Sequence, residues 1–156
     1  MYQDHLPKNF LWGSATASHQ VEGGNHNDWS EWEQKNKQRL ASEAKQHFGK
    51  LPCWPRVAAE AQNPENYVSG SGPDHFHRYE EDFDIMQSLH FNAYRFSLEW
   101  SRIEPEKGVV DQNALEHYRS MLVNLKKRGI TPLVTLWHLT LPIWLRNEGG
   151  LSSKNF

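Results

Sequence analysis

Cysteine is nearly absent. Cys53 is the single one among 156 residues, which excludes an internal disulfide framework and fits a reducing compartment. No stretch approaches the roughly 18 consecutive apolar residues of a membrane-spanning helix. The opening residues, Met1 to Lys8, lack a basic segment followed by an apolar one, so no secretory leader is readable and a cytoplasmic location is expected. A charge of one sign is missing too. Seventeen Lys and Arg oppose nineteen Asp and Glu, and the net charge of −2 leaves no footprint for nucleic acid or anionic lipid. Gly13 to Gly24 matches neither GxGxxG nor a P-loop, so no nucleotide cofactor is expected.

What is present is aromatic. The hydrophobic fraction of 37% is low, yet seven Trp, seven Phe and five Tyr argue for a folded chain, because disordered chains are poor in aromatics. Phe10 to Thr16 reads as a first strand. Residues 21–73 read as a long polar first connection, with at most a helical turn or two between Asp28 and Leu40. A helix follows from an Asp74 N-cap, with Tyr79, Phe83, Met86 and His90 as its stripe and Ile85 and Leu89 widening it.

Ala93 to Trp100 alternates as a strand. Tyr94, Phe96, Leu98 and Trp100 share one face; Ala93, Arg95, Ser97 and Glu99 share the other. A polar second face borders solvent or lines a polar interior. Asp111 to Arg128 is a second helix, with Leu115, Tyr118, Leu122 and Leu125 as its stripe and Gly129 after its end. Ile130 to Trp137 is the third strand, followed by a loop, His138 to Pro142. Ser152 or Ser153 reads as the N-cap of one more helix. Strands alternating with helices call for a parallel sheet, either doubly wound or part of a (β/α)8 barrel.

In both architectures chemistry sits at the carboxyl ends of the strands. Those ends carry Ser18-His-Gln20, Glu99 to Arg102, and Trp137-His138. Planar hydrogen-bonding groups beside indoles suit a sugar, whose hydroxyls need polar partners and whose C–H faces need aromatic ones. His75 and His77 lie near Glu80 and Glu81, but two histidines without a third fixed ligand are expected to be solvated, and no metal is expected.

Phe10-Leu-Trp-Gly-Ser-Ala-Thr-Ala-Ser-His-Gln-Val-Glu-Gly23 resembles the N-terminal signature of glycoside hydrolase family 1, which contains β-glucosidases, β-galactosidases and 6-phospho-β-glycosidases. Asn92-Ala-Tyr-Arg-Phe-Ser-Leu-Glu-Trp-Ser-Arg-Ile-Glu-Pro105 is similar to its second-strand motif, and Thr135-Leu-Trp-His-Leu-Thr-Leu-Pro142 to its third. The resemblance implies a (β/α)8 barrel and a retaining mechanism that uses two glutamates about 5 Å apart. It implies that Gln20 and His138 bind hydroxyls of the terminal sugar, and that Arg95 sits beside the nucleophile. Trp137 and Leu139 are the expected pocket wall, with Leu139 standing where the family usually has an aromatic residue.

The family's Asn-Glu-Pro and Glu-Asn-Gly tripeptides, which carry the acid/base and the nucleophile, do not occur in these residues. Glu99 and Glu104 match neither. The expectation is therefore an incomplete barrel: residues 1–156 as the N-terminal segment of one α/β domain, about three βα units long. By itself it is expected to be inactive and poorly soluble or molten, needing the remaining strands. A β-glycoside is the expected substrate. A non-catalytic sugar-binding module or pseudoenzyme is the alternative.

Overall fold

The computed structural model describes residues 6–152. In chain order its elements are β1 (Gly13–Ala15), α1 (Ser18–Val21), α2 (Asp28–Phe48), α3 (Trp54–Ala61), α4 (His75–Ser88), β2 (Ala93–Ser97), α5 (Trp100–Ile103), α6 (Gln112–Lys127), β3 (Thr131–Thr135) and α7 (Ile143–Asn147). Short 3-10 turns cover Pro64–Tyr67 and Gly150–Ser152. The strands form one parallel sheet in the order β1-β2-β3, an incomplete α/β barrel.

Register places Ala15 beside Arg95, Arg95 beside Leu133, and Ser97 beside Thr135. These residues share one face. The opposite face of β2 packs Tyr94 and Phe96 against α4 and α6, in a core with Phe83, Tyr118, Met121, Leu125 and Ile130. The close approach of β1 to β2 requires glycine at residue 13, where a Cβ would stand 2.0 Å from the Ala93 carbonyl oxygen.

Several elements differ from the sequence reading. The supposed loop over 21–73 is largely helical, and α2 alone runs 21 residues. Asn27 caps it reciprocally: its side chain accepts from the Ser30 N–H, and its own N–H donates to the Ser30 hydroxyl, both at 2.9 Å. Asp74 is the N-cap residue of α4, as expected, and its carbonyl takes the Arg78 N–H at 3.0 Å, but its side chain caps no backbone N–H. It sits at φ 58°, and its carboxylate takes the His77 Nδ1 at 2.6 Å instead. Ile85 and Leu89 are exposed, because no described element packs on that flank of α4.

In α6 the buried stripe is Ala114, Tyr118, Met121 and Leu125, so Leu115 is left exposed. Both sets keep three- and four-residue steps around Tyr118 and Leu125; the helix is turned so that Ala114 and Met121 face the core, with Leu122 at its margin. β1 and β3 are shorter than expected, since only the laddered residues are strand. β2 ends at Ser97, which puts Glu99 before α5 and Trp100 within it. Trp12, just before β1, is 54% exposed. Ser152 ends the last 3-10 turn, with its hydroxyl on the Gly149 carbonyl; Ser153 lies outside the described residues, as do the first five.

Candidate functional site

The strand ends converge. Gln20 on α1 and His138 beyond β3 line one cleft of about 300 Å³, together with Ala17, Trp29, Leu139 and Thr140. That volume is at the small end of ligand pockets. Gln20 is exposed and His138 half-buried.

Arg95 organises the floor from the centre of the sheet. Its Nε donates to the Thr135 hydroxyl at 2.6 Å, its Nη1 to the Thr16 carbonyl at 3.3 Å, and its Nη2 to His138 Nδ1 at 2.9 Å. One guanidinium fork thus ties the ends of all three strands together. Because Nδ1 accepts from a guanidinium, the His138 ring proton resides on Nε2, where it serves as a hydrogen-bond donor. Arg95 and Glu99, expected on the same face of one strand, form no ion pair with each other.

The turn after His138 is tight. The Thr140 N–H donates back to the His138 carbonyl at 3.0 Å, and Leu139 between them sits at φ 73°. This is a γ-turn with a non-glycine residue in the left-handed region, a strained arrangement that surrounding contacts must hold. The Trp137 indole N–H donates to the Thr140 carbonyl at 3.0 Å, closing the turn. Leu139 lines the cleft, but Trp137 is not among its lining residues. The exposed indole of Trp29 is, with Trp32 beside it at 5.3 Å between ring centres.

A second group backs the cleft; the sequence places its His19 at a strand end but does not reveal its partners. His19 is buried and held at both ring nitrogens: Asn27 Nδ2 donates to Nδ1 at 3.1 Å, and Nε2 meets Glu33 at 3.2 Å and the Ser69 hydroxyl at 3.1 Å. Glu33 also accepts from the Ser69 N–H at 2.9 Å and hydroxyl at 2.7 Å. Burial pushes the Glu33 carboxyl up, but the bonds from Ser69 and His19 outweigh it and hold it below the usual carboxylate value. The Asn27-x-x-Ser30 capping pattern was the signal that this segment is fixed.

Two carboxylates lie buried beneath. Tyr118 donates its hydroxyl to Glu22 at 2.9 Å, and Arg102 donates to Glu22 at 3.0 Å while lying 4.2 Å over the Phe76 ring. Burial lifts the Glu22 carboxyl to about 7 against Tyr118 and Arg102, and the charge of Glu99 adds to the rise. Burial and the Glu22 charge likewise push the Tyr118 hydroxyl well above its ordinary range. Glu99 is wholly buried among hydroxyls: Ser18 at 3.0 Å, Ser101 at 2.8 Å and Thr140 at 3.3 Å. Glu104 points elsewhere, bonded to the Trp100 indole and the Gly108 N–H. His75 pairs with Asp82 and His77 with Asp74, and no metal-holding group of three or more acidic, His or Cys residues converges among the described residues.

The sequence model of glycosyl hydrolase family 1 matches residues 2–156. This chain belongs to that family. It is 35% identical over 154 residues to β-glucosidase A of Acetivibrio thermocellus, covering 96% of this chain and 30% of the relative. Against the aryl-phospho-β-D-glucosidase of Bacillus subtilis it is 35% identical over 156 residues, covering 99% and 29%. Among solved structures, a β-glycosidase from Pyrococcus horikoshii superposes with a TM-score of 0.71 at 41% identity, over 93% of this chain and 28% of that one. The family 1 β-glucosidase from Thermotoga maritima gives 0.69 at 32% identity, over 93% and 29%. The chain therefore spans about 30% of the length of the family 1 relatives it matches.

Proposed function

We propose that this chain supplies the first three βα units of a retaining β-glycosidase and, within it, part of the pocket for the terminal sugar. The observation that carries the reading is the convergence of Gln20 and His138 on one cleft, with Arg95 holding the imidazole. The Gln20 amide offers both a donor and an acceptor, and His138 Nε2 offers a donor, a combination suited to vicinal hydroxyls. Trp29 offers an aromatic face for the C–H side of the ring. Arg95 is placed to favour a nearby carboxylate in its ionised form, as a nucleophile requires.

Hydrolysis by this mechanism needs an acid/base and a nucleophile flanking the scissile bond. Neither family tripeptide lies in these residues, so the chain by itself is expected to turn over no aryl β-glucoside above a buffer blank. The same observation favours a second reading, a sugar-binding module without catalysis; binding without turnover in a polypeptide carrying all eight strands selects it. Saturation-transfer NMR with methyl β-D-glucoside tests the site itself. Transfer to the sugar is expected once these residues are joined to the remaining strands of a family 1 barrel, and its loss in the Gln20→Ala and His138→Ala variants of that protein. Equal transfer in all three proteins refutes the assignment.

A further inference from the structure

Glu99 has no part in the reading above, yet it touches both loops that carry it. Its Oε2 accepts from the Ser18 hydroxyl at 3.0 Å, and Ser18 opens α1 two residues before Gln20. Its carboxylate also takes the Thr140 hydroxyl at 3.3 Å, and Thr140 closes the γ-turn two residues after His138. The third hydroxyl, from Ser101 at 2.8 Å, belongs to its own loop. Ser18 is seated further by Ser97, whose Oγ accepts the Ser18 N–H at 2.7 Å and donates to the Ser18 hydroxyl at 3.1 Å. Proton order therefore runs one way, from Ser97 to Ser18 to Glu99.

We propose that Glu99 is a positioning residue: it fixes the distance between Gln20 and His138 by cross-linking their loops across β2. The inference rests on the sugar-site reading. A carboxylate suits the task because it only accepts, and its two oxygens take hydroxyls arriving from several directions at once. Charge-assisted O–H···O⁻ bonds are about twice as strong as neutral ones. The strained Leu139 turn gives the Thr140 bond a purpose, since a residue in the left-handed region persists only where its surroundings over-determine it. A glutamine at 99 keeps the shape but offers one acceptor oxygen, and turns an amide donor toward a hydroxyl that must itself donate.

Hydrogen exchange read by mass spectrometry, alongside saturation transfer from methyl β-D-glucoside, tests the proposal on a chimera in which these residues replace the matching segment of Thermotoga maritima β-glucosidase A. Glu99→Gln is expected to speed exchange at residues 18–22 and 137–141 while the α6 core around residues 118–125 keeps its protection, and to cut the sugar signal several-fold. Thr140→Val is expected to loosen 137–141 alone. Ser101→Ala, which leaves both cross-loop bonds, is expected to change neither readout. Faster exchange spread through α6 in Glu99→Gln would make Glu99 a mere core residue and overturn the proposal. So would an unchanged sugar signal in Glu99→Gln, or a Ser101→Ala protein that reproduces its effects. If the folded, unmodified chimera gives no sugar signal, the sugar-site reading falls and takes the role of Glu99 with it. A signal lost in Gln20→Ala but kept in Glu99→Gln overturns the Glu99 proposal alone.

Discussion

Arg95 holds three strand ends with one planar group, and lysine cannot do the same. A lysine ammonium is a single point on a flexible stem, so Arg95→Lys keeps the charge but loses the simultaneous hold on Thr16, Thr135 and His138. The expected outcome is about a tenfold weaker hold on methyl β-D-glucoside, the equivalent of one lost polar contact. The same variant is expected to shift the ring ¹⁵N resonances of His138 away from a single Nε2–H tautomer. Unaltered ring shifts would show that Arg95 does not orient the imidazole. That Arg95 lies on a polar face was legible from the alternation of Ala93 to Trp100. Its partner was not: His138 lies 43 positions away and reaches Arg95 only through the register of β2 with β3. The Leu139 turn was equally hidden, since leucine gives no sign of a positive φ.

Among the elements, α2 was the least legible. Its apolar residues are few, and a helix polar nearly all round carries no stripe to read. It stands instead on its capping box, on i,i+4 ion pairs such as Glu31–Lys35 and Arg39–Glu43, each at 2.8 Å, and on clamps to the third loop. Asp28 accepts the Leu141 N–H at 2.7 Å, and Arg146 donates to Glu31 at 2.8 Å. The Lys35 and Arg146 bonds hold the Glu31 carboxyl down at about 2. Asn27→Ala removes the cap and the partner of His19 Nδ1 together. It is expected to cost about 1 kcal/mol for the cap, seen in urea unfolding of a complete barrel that carries these residues, and to expose His19 to faster chemical modification.

Glu22 makes stability depend on pH in the direction opposite to an ordinary ion pair. From about 4.5 to about 7 the folded chain keeps a proton that the unfolded chain has released, so stability falls as pH rises through that window. The change is on the order of 3 kcal/mol. Glu22→Gln is expected to remove that component: comparing unfolding at pH 5 and pH 8 of a complete barrel that carries these residues, the variant should lose less stability than the parent. Identical pH dependence in both would place the carboxyl in its ordinary range.

For the whole molecule, the sheet has an unpaired outer side on β1 and on β3 among the described residues. Trp12, Leu133, Leu136 and Leu139 are exposed near those edges or on the inner face. Open edges with apolar side chains beside them are templates for pairing. The chain by itself is expected to bind a hydrophobic dye and to sediment above its 18.2 kDa mass. A dye-silent monomer with one sharp thermal transition would contradict this. The rhythm of strand and helix was enough to place the three strands and the two long helices of the core. The βα rhythm did not choose between a barrel and a doubly wound sheet; the three motifs did.

The proposal that these residues build part of the sugar pocket of a β-glycosidase can be tested in a working enzyme. Its most direct test is a chimera in which they replace the matching segment of Thermotoga maritima β-glucosidase A, to which they are 36% identical over 151 residues. The chimera is expected to hydrolyse an aryl β-glucoside, and Gln20→Ala and His138→Ala are each expected to lower its kcat/KM by about tenfold or more. A chimera with native-like circular dichroism that shows no turnover, or one indifferent to both substitutions, would contradict it.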